Sequence, residues 1–272
     1  MSYEEPLSKQ AVAISISESP DMSLLGLGNE HLVDAMAEVA RHLLAMGARL
    51  MYGGDLRPGG FTEILFELIA RYRRDADLGD ERVGVTNLLA WPVHVSLTPE
   101  RVKELSDSLQ GVAELLYLTM DGNVMPADDH ARLVPHDAAD DEWTDGLTAM
   151  RETMAEMSSA RVVLGGKTDG FKGRMPGIAE EALSTLRVGK PLFLLGGFGG
   201  CAGDIATTIG LTTSLHSTST NLLWPGRDEF RNLTADALNN GLDLAENAKL
   251  AATIHSDEAV TLILRGLLRT TG

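Results

Sequence analysis

RVVLGGKTDGFKGRMPGIAEEALSTLRVGKPLFLLGG, residues 161–197, reads as strand, glycine-rich turn, helix and strand in one continuous run. Arg161 to Leu164 reads as a short strand, and it stops at Gly165-Gly166. A helix follows from Pro176 to Val188, because proline suits a first helical turn and Gly189 stands just past the last. Pro191 to Leu195 is the returning strand. Strands alternating with helices at this spacing build parallel crossovers. The expected fold class is therefore α/β, a Rossmann-like parallel sheet with helices on both faces.

The pattern extends in both directions. Ala11 to Ser17 is a first strand, and the helix after it places Leu32, Met36, Val39, Leu43 and Met46 on one face, which is core. Gly47 ends that helix, Arg49 to Tyr52 is a strand, and Thr62 to Arg71 is a helix with Ile64, Leu65, Leu68 and Ile69 inward. Leu88 to Ser96 and Ala113 to Met120 read as strands flanking a helix from Pro99 to Leu109. Asp145 to Met157 is helical, with Leu147, Met150, Met154 and Met157 as a packing stripe. Asp228 to Asn240 and Ser256 to Leu268 are expected helices, while Leu211 to Arg227 takes no assignment. The polar run from Asp121 to Glu142, with His130 and His136, is too long for an ordinary connection and reads as a lid or a solvated loop. With no internal boundary or repeat, one domain over residues 1–272 is expected, with a core at about 11–210 and a helical portion at 228–270.

Composition narrows the classes of function. The chain has 272 residues, 44% of them hydrophobic and 23% charged, which suits a globular core and not a disordered chain. Its 39 acidic residues against 23 basic ones give a net charge of −16, a field that repels polyanions, so nucleic acid is not an expected partner. No stretch reaches the 18 or so apolar residues of a membrane span, and Met1 to Gln10 lacks the apolar core of a signal peptide. A single cysteine, Cys201, leaves no intramolecular disulfide. A cytoplasmic protein is expected. The histidines match no metal-ligand spacing, so no metal is expected either.

Three apolar strands run into glycine pairs: Gly53-Gly54, Gly165-Gly166 and Gly196-Gly197. In a parallel sheet these junctions share the carboxyl edge, where glycine lets backbone approach a ligand and helix N-termini present free N–H groups to anions. A small-molecule nucleotide is the expected ligand. Lys167, Lys172 and Arg174, in the ten residues between Gly166 and Gly177, reverse the local charge and are candidate phosphate contacts. Arg57 and Asp55 in the Gly-Gly-Asp-Leu-Arg-Pro-Gly-Gly turn are candidates for phosphate and for ribose hydroxyls. Ser17, ending the first strand, is a further candidate.

The helix residues Met150-Arg151-Glu152-Thr153-Met154-Ala155-Glu156-Met157, the strand after them, Gly165-Gly166, and Gly177-Ile178-Ala179-Glu180-Glu181 resemble the LOG nucleotide phosphoribohydrolases, whose motifs run MHxRKxxM and PGGxGTxEE. Tyr52-Gly53-Gly54 resembles that family's early glycine motif. The likeness covers about residues 11–210 and extends to the broader SLOG superfamily. Residues 165–181 look most like the subfamily related to the TRPM channel N-terminal region and to bacterial sensors linked with NAD-consuming defence proteins. The resemblance implies binding of ADP-ribose-like or cyclic NAD-derived nucleotides with no further cofactor, self-association, and signalling to an effector protein. It also implies that Glu180 and Glu181 engage the ribose, with Glu181 the carboxylate that would assist N-glycosidic cleavage.

The departures from that pattern set the balance. Thr153 and Met154 stand where the hydrolases carry arginine and lysine, and Ile178 replaces their threonine. Arg151, two residues earlier, lies about 200° round a helix and is expected to face elsewhere, leaving Arg174 to substitute. Binding without turnover is accordingly the leading expectation, and nucleotide N-glycosidase activity the alternative.

Overall fold

A computed structural model describes residues 5–54, 56, 59–75, 84–213 and 223–271. Six strands form one sheet: β1 (Ala11–Ser17), β2 (Arg49–Tyr52), β3 (Val85–Leu89), β4 (Ala113–Tyr117), β5 (Ala160–Gly165) and β6 (Leu192–Leu195). Their order is β4-β3-β2-β1-β5-β6 and every pairing is parallel. All six carboxyl ends therefore share one edge. The chain leaves β1 toward β4 and returns on the other side of β1 at β5, so the switch in winding direction falls between β1 and β5. In doubly wound sheets that is where a crevice opens.

Side-chain alternation explains how both faces are covered. Val12, Ile14, Ile16, Val162, Leu164 and Phe193 pack on α1 (Asn29–Ala45), α2 (Phe61–Asp75) and the carboxyl-terminal helix α10 (Ser256–Thr271). Residues one place out of step point the other way. Ala13 and Met51 meet Met150 and Met154 of α6 (Asp140–Met157), while Val163 and Leu194 meet α7 (Gly177–Arg187) and α8 (Gly200–Thr208). The expected α/β architecture with helices on both faces is what the chain forms. Along α1, Leu32, Met36, Val39 and Leu43 are buried as their spacing requires, and Met46 packs at the margin. The apolar face of α10 is spent inside the chain against α1.

Several sequence expectations are corrected. The strand expected from Leu88 to Ser96 ends at Leu89, because Pro92 opens a one-turn helix, α3 (Trp91–His94), before α4 (Pro99–Ser108). The polar run from Asp121 is no simple solvated loop: it folds back through a Leu118–Val124 bridge and a short helix, α5 (Ala127–His130), and α6 begins at Asp140. Its anchors are Met125 and Leu133, packed beside Leu89 and Tyr117, and the fully buried His130. Met157 leaves the α6 stripe and is exposed. Asp228 to Asn240 forms two 3₁₀ turns, Arg227–Phe230 and Ala235–Leu238, anchored by buried Phe230 and Leu238 and ended by Asn239 in the left-handed region. A helix absent from the sequence reading, α9 (Leu244–Ala252), seals the β6 edge; its Asp243–Glu246 capping box is the signal that announces it.

Candidate functional site

A cleft of about 490 Å³ opens at the carboxyl edge across β1, β2 and β3. Ser17 and Glu18 enter it from the end of β1, Gly53 and Gly54 from the turn after β2, Lys167 from the turn after β5, and Gly177 from the start of α7. The opposite wall comes from α6, through Trp143, Leu147, Met150 and Arg151. The residues from Lys167 to Pro176 form a strap along one side, with Phe171 and Lys172 turned to the cleft.

Beneath the cleft lies a buried array of two arginines and two glutamates. Arg151 is only 6% exposed, yet it lines the cleft; its guanidinium bonds Glu180, and its Nε stands 3.8 Å from Glu181 Oε1. Glu180 also accepts from the Thr148 hydroxyl at 2.6 Å. Arg161, fully buried on β5, donates to Glu181 at 3.0 Å, to the Ser15 hydroxyl at 2.6 Å and to the Thr185 hydroxyl at 2.7 Å. Burial pulls the Arg161 guanidinium down from its ordinary range, the Glu181 carboxylate opposes that pull, and the Arg151 cation adds to it. An arginine keeps its proton in proteins, so Arg161 stays a cation inside the array. The two carboxylates divide the work. Glu180 is turned to Thr148 and Arg151 behind the wall, while Glu181 is the member that lines the cleft.

Two donors in this array have no hydrogen-bond partner among the described residues: Arg151 Nε and Arg161 Nη2. A buried donor left unpaired costs about 1–3 kcal/mol, a cost that an anionic ligand at Arg151 would remove. The strap is shaped around this arginine. A side chain at Gly177 would stand 2.8 Å from Arg151 Nη2, and one at Gly173 3.0 Å from Nη1.

The glycine junctions have unlike fates. After β2, a Cβ on Gly53 would strike Met150 Sδ at 2.7 Å, so glycine here lets the sheet edge lie against α6 while still facing the cleft. The Gly54 peptide is held by the Asn87 side chain, which accepts from its N–H at 3.4 Å and donates to its carbonyl at 3.3 Å. After β5, Gly165 and Gly166 hold positive φ of 65° and 103° and pack under the cleft, where the Gly166 N–H donates to the Ser17 carbonyl at 3.0 Å. After β6, Gly196 and Gly197 are remote from the cleft lining: a Cβ on Gly197 would sit 2.2 Å from the Thr253 carbonyl oxygen. The Asp21 carboxylate accepts from the Gly200 N–H at 2.7 Å and occupies the start of α8. That junction is closed by the chain itself. The notion of three glycine pairs on one shared cleft is corrected to one pair lining it, one packed beneath it and one sealed away.

Among the expected cations, Lys167 and Lys172 line the cleft and Arg174 does not. Arg174 pairs with Asp145 at 2.8 Å on the surface, Lys167 with Glu18 at 2.9 Å, and the Lys172 ammonium lies 3.4 Å from the centre of the Trp143 ring. Asp55 and Arg57 lie outside the described residues. Cys201 packs beneath Gly166, fully buried, with its thiol pushed far above the ordinary range by desolvation and the nearby Asp204. No cluster of three metal-binding side chains occurs among the described residues. None of their helices is long and apolar enough to cross a membrane.

The glycine rim at the switch point and the acidic pair at the start of α7 are the features on which a family can be judged. A family model described as SLOG cluster2 matches residues 6–267. The chain belongs to that family. No curated protein matches the chain closely enough to count as a relative. SLOG membership points to nucleotide-related binding or processing, and it extends the likeness well beyond residues 11–210.

The SLOG motifs can now be placed. Arg151 and Thr153 do face apart as the helical angle requires, but Arg151 is the one turned to the cleft: α6 brings Leu147, Met150 and Arg151 there together, as residues three and four apart share a face. Thr153 lies on another side and donates to the Gly122 carbonyl at 2.8 Å. The cation beside the acidic pair thus stands where the hydrolase motif has histidine, not where it has arginine. Arg174 is not needed as its substitute. The fully buried Arg161 and its Ser15 and Thr185 partners escaped the sequence reading; a charged residue inside an otherwise apolar strand was the available signal.

Proposed function

We propose that the cleft binds a nucleotide derived from NAD or ADP-ribose and that the protein acts as a sensor or regulatory module. The observation that carries this is the convergence of the Arg151 guanidinium, the Glu181 carboxylate and the opening turn of α7 on one glycine-edged crevice. A phosphate finds a cation and free N–H groups there, and a ribose finds a carboxylate acceptor. Lys167 and Lys172 stand where they can leave their present partners for a phosphate. The reading keeps self-association and an effector protein as partners, and needs no further cofactor. Calorimetric titration with ADP-ribose, cyclic ADP-ribose isomers, NAD and AMP tests it. Binding of at least one, abolished in Arg151→Met, is expected; no heat with any of them overturns it.

One observation favours a second reading, nucleotide N-glycosidase activity. Arg151 beside Glu181 restores the pairing of cation and carboxylate that the motif comparison alone found missing. A carboxylate at an oxocarbenium-like centre can stabilise charge as the N-glycosidic bond breaks, with water as the nucleophile. Chromatography of nucleoside monophosphates after incubation decides. Release of free base that Glu181→Gln abolishes establishes hydrolysis, and unchanged nucleotide leaves binding as the function.

A further inference from the structure

A nucleotide has an anionic end, a diol and a flat aromatic base, and the cleft walls differ in which of these they suit. Arg151, Glu181 and the start of α7 form the charged end. Two turns earlier on the same α6 wall, Trp143 is half-buried and lines the cleft, as does the half-buried Phe171 of the strap, and both bring flat apolar surface to it. Lys172 rests its ammonium 3.4 Å from the Trp143 ring centre. That contact shows one indole face open to a guest from the strap side. It is also a weak contact, because Lys172 is exposed and a hydrated cation over a half-buried ring gains less than a stacked base does.

Resting on the nucleotide reading above, we infer that Trp143, with Phe171, is the base-recognition end of the cleft, and that Lys172 is a latch which an incoming base displaces toward the ligand's phosphate. Stacking on an indole reads the π-face shared by every base, so this end sets the requirement for a base and not its identity. Freed from the ring, Lys172 adds its charge to that of Lys167 on the strap side. The other two tryptophans are committed elsewhere: Trp91 donates its indole N–H to Glu142 at 2.8 Å and Trp224 to Asp204 at 2.9 Å, and neither lines the cleft.

The test compares AMP and ADP-ribose with ribose 5-phosphate, which lacks the base, on the full chain. Trp143→Leu is expected to weaken AMP and ADP-ribose at least tenfold and leave ribose 5-phosphate unchanged, with Trp143→Phe recovering most of the loss. Tryptophan fluorescence of the wild type is expected to change on adding AMP but not ribose 5-phosphate, and that change is lost in Trp143→Phe. If Trp143→Leu weakens all three ligands equally, or none, the base-stacking role is overturned while nucleotide binding stands. If the wild type binds none of the three, both fall together.

Discussion

The junctions after β2 and after β6 look alike in sequence, each an apolar strand running into Gly-Gly, and they end in opposite situations. At Gly53 the glycine brings the sheet edge against Met150 and still faces a cleft. At Gly197 the same residue type is pressed against the Thr253 carbonyl, and the nearby α8 N-terminus already holds the Asp21 carboxylate. A glycine pair therefore reports that something approaches the backbone closely, without saying whether that is ligand or protein. What separates the cases is the chain beyond: α9 packs on β6, and among the described residues no helix packs in that way over the glycine junction of β2.

The largest effect should come from filling the sealed junction. Gly197→Ala places a methyl about where the Thr253 carbonyl lies and is expected to cost roughly 3 kcal/mol, the upper end for overpacking. Denaturant unfolding measures it. Nucleotide affinity of the folded fraction should be unchanged, and a selective loss of affinity would break the distinction between the junctions.

Acid should act on the open side. Behind the cleft wall at Val93, His94 and His130 are fully buried with ring nitrogens 3.1 Å apart, and His94 also bonds the Leu118 carbonyl at 2.8 Å. Desolvation holds His94 down at about 4, against the Leu118 bond that raises it, and burial lowers His130 as well. An unfolded chain takes up the His94 proton near 6.5, so between these values it binds more protons than the folded one. Stability present above pH 6.5 is thus lost as pH falls toward 4, by about 2–3 kcal/mol. Denaturant midpoints measured across that window should show the slope, and His94→Gln should flatten it.

Two smaller effects sharpen the contrast. Asp21→Ala removes the side-chain acceptor at the start of α8 and is expected to cost about 1 kcal/mol, with no change in nucleotide affinity. Arg174→Ala breaks an exposed, solvent-screened pair and is expected to leave the denaturant midpoint and the nucleotide affinity almost unchanged. A tenfold loss of affinity in that variant would return Arg174 to the site and break the assignment to Arg151.

Strand positions were legible because burial on both faces leaves continuous apolar runs, and β1 and β2 fall where the pattern puts them. What sequence could not show was pairing over distance. Asp21 meets Gly200 across 179 residues, and His94 meets His130 across 36. For Arg151 the limit is subtler: the motif spacing fixes an angle on α6, but which face of α6 meets the cleft depends on its packing with α7. Ser17, Gly53, Gly54, Lys167, Lys172, Gly177 and Glu181 do share the cleft; Gly196, Gly197 and Arg174 were drawn in by local composition that serves turns and surface pairs.

The lone cysteine gives this architecture a built-in clock. Cys201 sits under the β5 junction, shut from water and protonated at any ordinary pH, so an alkylating reagent reaches it only when the layer between β5 and α8 comes apart. Its rate of modification would count those openings one at a time, and slowing by a nucleotide would register occupancy of the cleft above without any label on the ligand.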